Sequence, residues 1–351
     1  MDHPQIIPSK QRPGSFGCMV QQISVPITGR PITPKENLRR VFAGERPMWM
    51  PAWIMESQYC WPDVVLEHPK YEYDGKDWWG TEWVYVDVVG GMMVKPGTRT
   101  ISDILNWKEE LKFPDLEAID WEADAAEQTA RYDPDKMHLF HCTEGIFERL
   151  HEIIPFEDAL EAMVLEPDTV KEFFQAIADF KIRLLKKIFQ YYAPIDYVVY
   201  GDDWGTARAG FFSNKMYREM IYPYTSQVIQ FIKSQGKFVE LHSCGLNEQY
   251  VPFMIEMGID LWAPQAINNS DFLKKTYGDR IGFAFSVRGL DQPGISESEV
   301  RRIIRDFVDR YAAGGRTMAA IMAPPEVMGP ALDELYQYSL AYYARLPVAA
   351  C

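Results

Sequence analysis

The stretch KFVELHSCG, residues 237–245, sets an acid, an imidazole and a thiol at alternating positions. Successive side chains of a β-strand point to opposite faces. Read as a strand, Val239 and Leu241 share one face while Glu240, His242 and Cys244 share the other. Neighbours on one face lie about 6.6 Å apart, twice the ~3.3 Å rise per residue. Over that gap His242 and Cys244 can converge on one zinc ion. Glu240 is about 13 Å from Cys244 by the same arithmetic. It suits an orienting partner of His242, or a proton donor, better than a third ligand. The competing reading is a buried cysteine beside a hydrogen-bonded core histidine.

Other groups gather at the ends of similar runs. GDDWG (201–205) carries adjacent carboxylates, Asp202 and Asp203. Adjacent strand residues face opposite ways, so one of the two looks into a pocket, aimed at a substrate hydroxyl or an acid–base step. An aspartate here also suits a helix cap. In SVRGLDQ (286–292), Arg288 could clamp an anion with Asp291 holding it, or the two could form an ordinary loop ion pair. Gln265, at the end of LWAPQ, offers a neutral amide. His138, His141 and Cys142 lie on one run, but His141 and Cys142 are neighbours and face apart, which argues against a second metal site. Glu144 is a candidate for the rim. The segments MWMPAWIMESQYCWP (48–62) and DWWGTEW (77–83) are rich in tryptophan, most of it structural. Trp53, Tyr59 and Trp61 are placed to form an aromatic wall for a flat apolar substrate.

These groups need elements to position them. From about residue 137, short apolar runs alternate with long amphipathic segments: MHLFHCT (137–143), YVVYGDD (197–203), the 237–245 run, LWAPQ (261–265), IGFAFSV (281–287) and TMAAIMA (317–323). Between the last two, Val300, Ile303, Ile304, Phe307, Val308 and Tyr311 make one helical stripe. Ser296 and Glu299 offer a capping box, and Gly314–Gly315 a stop. Strict alternation of strand and helix implies parallel strands with crossover helices. MWMPAW (48–53) and one strand within 84–100 bring the count to about eight. The expected fold class is therefore α/β, a (β/α)8 TIM barrel over residues 36–351 with a proline-rich N-terminal arm over 1–35. An open doubly wound sheet is the runner-up, without a glycine-rich loop to support it. In a barrel the 237–245 run turns Glu240, His242 and Cys244 inward, with Cys244 nearest the mouth.

Bulk properties narrow the partners. The chain has 351 residues with 36 lysines and arginines against 50 acids, a net charge of −14. That balance argues against general nucleic-acid binding, which needs clustered basic charge. No apolar run approaches the ~18 residues of a membrane span. Five scattered cysteines without a CxxC pair, and no secretory signal at the start, suggest the reducing cytoplasm. The sequence leaves the oligomeric state open, a homodimer included.

YGDDWGTARAGFFSNKMYREMIYPYTSQVIQFIKSQGKFVELHSCG resembles the uroporphyrinogen decarboxylase-like superfamily, as does MGIDLWAPQ with LKKTYGDRIGFAFSVRGLDQ after it, and FPDLEAIDWE more weakly before. The resemblance is good from about 190 to 315 and implies a (β/α)8 barrel. True decarboxylases of the superfamily carry an arginine-rich motif near the first strand for porphyrinogen carboxylates; MPAWIMESQYCWP has no arginine. The other branch holds corrinoid-dependent methyltransferases, several with zinc on an HxC pair plus a cysteine of the last barrel strand. His242 and Cys244 match that pair. RTMAAIMAPPEV lacks the further cysteine, and Cys351 at the chain end is a poor substitute, which argues against thiol activation. Zinc would then take Glu240 or another nearby carboxylate.

The resemblance implies an O-demethylase-type methyltransferase component. It would take a methyl group from a small substrate, an aryl methyl ether first, to cobalamin on a partner corrinoid protein. Glu240, His242 and an inward Asp202 or Asp203 would serve catalysis; Trp53, Tyr59, Trp61, Gln265, Arg288 and Asp291 would hold substrate. The alternatives are a methylthiol or coenzyme M-type methyltransferase and a decarboxylase of a smaller acid.

Overall fold

The computed structural model describes residues 29–69, 74–88 and 91–346. Residues 1–28 of the expected arm, and with them Cys18, lie outside the described residues, as does Cys351. Helix α1 (Pro34–Ala43) begins within that arm, capped by the Thr33 hydroxyl. It is followed by the short α2 (Trp53–Glu56) and β1 (Ser57–Cys60). A long excursion carries β2 (Gly75–Lys76), β3 (Glu82–Val86), β4 (Gly91–Val94), α3 (Trp107–Glu110) and α4 (Trp121–Thr129). Then strand and helix alternate: β5 (Met137–Cys142), α5 (Ile146–Ile153), α6 (Phe156–Leu165), α7 (Pro167–Tyr191), β6 (Tyr197–Gly201), α8 (Tyr222–Ser234) and β7 (Phe238–Ser243). The series ends with α9 (Val251–Met257), β8 (Leu261–Pro264), α10 (Ser270–Tyr277), β9 (Gly282–Ser286), α11 (Glu297–Tyr311), β10 (Thr317–Ala320) and α12 (Pro325–Arg345).

Seven strands form one parallel sheet in the order β1-β5-β6-β7-β8-β9-β10. The sheet curls until β10 reaches the extended segment before α2. There Ala52 bridges Ala319, and the Ala319 N–H donates to the Pro51 carbonyl at 2.8 Å. The fold is a (β/α)8-type barrel whose eighth stave, 48–52, touches its neighbour at that single bridge. Two expectations need correction. MWMPAW is this short stave rather than a full strand, because Pro51 removes a donor. The strand within 84–100 is not in the barrel: β2, β3 and β4 form a separate antiparallel sheet. The barrel strand in its place is SQYC, 57–60.

Alternation sorts the core into two parts. Val198, Tyr200, Val239, Leu241, Trp262, Phe283 and Phe285 pack outward against the helices. Met137, Leu139, Tyr197, Val199, Leu261, Ala284 and Met318 fill the interior, together with Leu38, Val41 and Phe42 of α1. Phe42 lies 4.8 Å from the Tyr197 ring and 5.3 Å from Phe238, so α1 plugs the end where the strands begin. The catalytic end must be the other one. The helix over 297–311 starts at Ser296, whose hydroxyl accepts from the Glu299 N–H, as its sequence predicts.

The excursion between β1 and β5 is tied down by a buried ion cluster. Arg149 on α5 bonds Glu67 at 2.8 Å, Asp77 at 3.1 Å and Glu152 at 2.9 Å; Lys181 on α7 bonds Glu67 at 2.7 Å. Both cations are fully buried, so desolvation is offset only because every charge finds partners.

Candidate active site

In the parallel pairing of β6 with β7, Gly201 stands opposite His242. Two residues further along each strand, that register sets Asp203 opposite Cys244. The Cys244 N–H donates to the Asp203 carboxylate at 2.6 Å, and the Cys244 Sγ lies 3.6 Å from His242 Nε2. One ligand atom from each of Asp203, His242 and Cys244 falls within 4.8 Å of the other two. A tetrahedral zinc with bonds of ~2.0–2.3 Å separates its ligands by about 3.5 Å, so the imidazole–thiol pair is already at working distance. The set of one nitrogen, one sulfur and one oxygen suits a zinc-like cation.

The loops behind these groups are packed backbone to backbone. Gly245 has φ +103°, and a Cβ there would meet Gly205 backbone atoms at 2.3–2.5 Å. Only glycine satisfies both conditions. Gln265 Oε1 accepts from the Gly245 N–H at 2.9 Å, Asn268 Nδ2 donates to the Gly245 carbonyl at 3.0 Å, and Asn247 Nδ2 donates to the Cys244 carbonyl at 2.6 Å. Burial, reinforced by the Asp203 charge, holds the Cys244 thiol well above its usual range. Burial lowers the His242 imidazole, with Asp203 opposing. The pair is neutral beside an anion; a divalent cation would invert that balance and favour the thiolate.

Adjacent aspartates have separate roles. Asp202 is fully buried, and its carboxylate accepts from the backbone N–H of Phe147 and Glu148, capping α5. Burial pushes it up to about 7 against those hydrogen bonds. Of the predicted catalytic acids Asp202 is thus a cap, while Asp203 joins the donors. Glu240 does not: it lies one inward layer below His242, makes no hydrogen bond to it, and keeps a buried Oε2 without a partner. Burial raises Glu240 to about 8, and its charge bears on Tyr59 and Tyr197. In place of Glu240, the third donor is Asp203, because the β6–β7 register carried two residues past Gly201 sets it opposite Cys244, whereas Glu240 lies a layer deeper.

The aromatic wall forms as a row. Trp53 meets Tyr59 edge-on at 5.2 Å between ring centres, and Tyr59 meets Trp61 at 5.3 Å. Trp61 also lines a cavity of about 390 Å³ with Cys60, Pro62, Val65, Glu67, His68, Phe140, His141 and Thr143. The His141 ring is 6.5 Å from His242, so the cavity adjoins the donor cluster. Sequence spacing gives His141 no metal role, because Cys142 beside it faces away. The missed signal is the shared alternation of Met137, Leu139 and His141 with Phe238, Glu240 and His242. Burial takes His141 to about 3 and Cys142 to about 12. His138 stacks on Tyr132 at 4.0 Å near the plugged end.

Three predicted substrate residues are placed otherwise. The Gln265 amide oxygen is committed to Gly245 and braces the Cys244 loop. Arg288 is exposed and donates to the Ala266 carbonyl, and no ion pair joins it to the exposed Asp291. Their strand-end loop runs outside the donor cluster and lines no part of the cavity. Glu144 is buried at the end of β5 with a left-handed φ of 52°.

A sequence profile described as uroporphyrinogen decarboxylase (URO-D) matches residues 79–282, more than half of the chain. The chain belongs to the uroporphyrinogen decarboxylase family. Among solved structures, a methyltransferase from Methanosarcina mazei is similar to this URO-D family chain at 14% identity and a TM-score of 0.57, covering 87% of this chain and 98% of that one. A 3-keto-L-gulonate-6-phosphate decarboxylase from Vibrio cholerae is similar at 10% identity and a TM-score of 0.31, covering 62% and 80%. A comparison with curated proteins gives no match. The first likeness confirms the URO-D barrel fold. Among the described residues no helix is long and apolar enough to cross a membrane.

Proposed function

We propose that this URO-D family protein is a methyltransferase component that demethylates a small aryl methyl ether and delivers the methyl group to the corrinoid of a partner protein. The observation that carries the reading is the meeting of Asp203, His242 and Cys244 at the barrel mouth, beside an aromatic-walled cavity. Among the described residues no arginine or lysine lines that cavity, which disfavours porphyrinogen carboxylates and a small-acid decarboxylase alike. The fold shared with the M. mazei methyltransferase supports the class.

Breaking the ether sends the bonding electron pair to oxygen while the methyl carbon bonds to the acceptor. The aryloxide charge must then be met. A zinc ion held by Asp203, His242 and Cys244 supplies Lewis acidity there when bound. The chain itself positions the arene against the aromatic row. It also keeps a protonated Glu240 beneath His242 as an internal acid, and braces the donors through Gln265 and Asn247. One thiolate and one carboxylate make a harder donor set than two thiolates, favouring an ether over a thiol as the group acted on.

Purified protein should carry about one zinc per chain, and Cys244→Ser or His242→Ala should lower that below about a tenth. Mixed with reduced corrinoid protein and methoxyphenols, the wild type should transfer methyl groups and both variants should not. No cobalt methylation across a broad panel of methyl donors overturns the reading. A thiol acceptor methylated in place of the corrinoid moves it to the thiol methyltransferase alternative.

A further inference from the structure

We propose that the 390 Å³ cavity beside the donor cluster selects an uncharged arene bearing a hydroxyl group, with His68 and His141 reading the hydroxyl, and that it discriminates against arenes bearing a carboxylate. This specifies the substrate class of the demethylation site and rests on that reading.

Size and lining argue for the ring. The recess is open at one side and its 390 Å³ of empty space includes that mouth, so a ring rests against its walls with one edge toward solvent. Trp61, Phe140, Pro62 and Val65 supply its apolar walls.

The polar lining argues for the hydroxyl. The His68 ring has a nitrogen, Nδ1, 3.0 Å from the Pro69 carbonyl. A carbonyl only accepts, so Nδ1 carries the proton and Nε2 is left for a ligand. Among the described residues the His141 ring makes no hydrogen bond, and it lines the cavity, so both of its ring nitrogens are open to a ligand. A phenolic O–H, at once donor and acceptor, is matched by such a pair.

Charge argues against the carboxylate. Among the described residues, the cations against this wall, Lys181 and Arg149, are fully buried behind Glu67. Lys181 is spent on Glu67 and the Thr143 carbonyl, and Arg149 on Glu67, Asp77 and Glu152. An anion entering the cavity loses its hydration and meets the Glu67 carboxylate first. A neutral ring carries no such penalty.

Direct binding tests this without any methyl transfer. The full chain is titrated with 3-methoxyphenol, anisole and 3-methoxybenzoate, following tryptophan fluorescence and calorimetry. 3-Methoxyphenol should bind at least about tenfold more tightly than 3-methoxybenzoate and about fivefold more tightly than anisole. His141→Phe should erase the phenol-to-anisole difference while zinc content and melting temperature hold; His68→Phe is the second route if that variant does not fold. Equal or tighter binding of the benzoate, no binding of any arene, or an undiminished hydroxyl preference in both variants overturns the proposal. Binding in the expected order without transfer to reduced corrinoid upholds this pocket and overturns the demethylation reading instead.

Discussion

Two buried polar regions lie side by side at the open end of this barrel and are built on opposite rules. Around Arg149, three carboxylates and two cations satisfy one another in full burial. Around His242, the carboxylate of Asp203 has a thiol and an imidazole for company and, among the described residues, no ion pair. In the first region every carboxylate is paired with a cation. In the second Asp203 is paired with none among the described residues, and that difference separates a site for a ligand from a device for stability.

The sharpest test of the contrast is to remove one member from each region. Arg149→Met leaves Asp77 and Glu152 buried without a countercharge, Glu67 keeping Lys181, and should cost about 3–5 kcal/mol in urea unfolding. His242→Ala, measured with chelator present, should change stability by less than about 1 kcal/mol. Comparable losses from the two would make the donor cluster a structural element.

A smaller effect lies in Glu240, whose folded value near 8 exceeds that of an ordinary carboxyl because of burial. The folded state then binds the proton more tightly than the unfolded chain. The associated stability is complete below about pH 4.5 and drains away as pH rises through 8. Glu240→Gln should therefore gain on the wild type, by on the order of a few kcal/mol, between pH 5 and pH 8.5. A flat difference across that range would mean that Glu240 is charged in the folded protein.

The finest test divides the adjacent aspartates. Asp202→Ala removes the cap of α5 and should cost about 1–2 kcal/mol with zinc content intact. Asp203→Ala should lose zinc and, measured with chelator present, cost about 1 kcal/mol for the lost Cys244 N–H acceptor. Reversed outcomes would reverse their assigned roles.

Much of this was legible in the sequence. The six runs from 137 to 323 are all barrel strands, because two-sided burial leaves continuous apolar stretches that survive in a single sequence. SQYC was not legible: four residues with a buried cysteine at one end show no alternation. The strand expected within 84–100 belongs to the excursion, since local pattern carries no information about which sheet a strand joins. His242 and Cys244 were found from spacing. Asp203 could be narrowed only to one of a pair, because its place opposite Cys244 is a matter of register between segments 41 residues apart. Gln265 and Arg288 were assigned to substrate on strand-end position alone, and neither position reveals whether a loop turns inward.

The contact between Gly205 and Gly245 has a consequence for how this chemistry could diversify. Because the two turns meet through bare main chain, their spacing does not depend on which groups stand at 203 and 244. A descendant or a designer could exchange Asp203 for cysteine or histidine and hand the same socket a softer or more basic occupant. A side chain at Gly245 would wedge the turns apart, and one at Gly205 would push on the Asn247 amide that braces the Cys244 carbonyl. Heredity at this corner of the molecule is thus carried by two residues that take no part in the reaction.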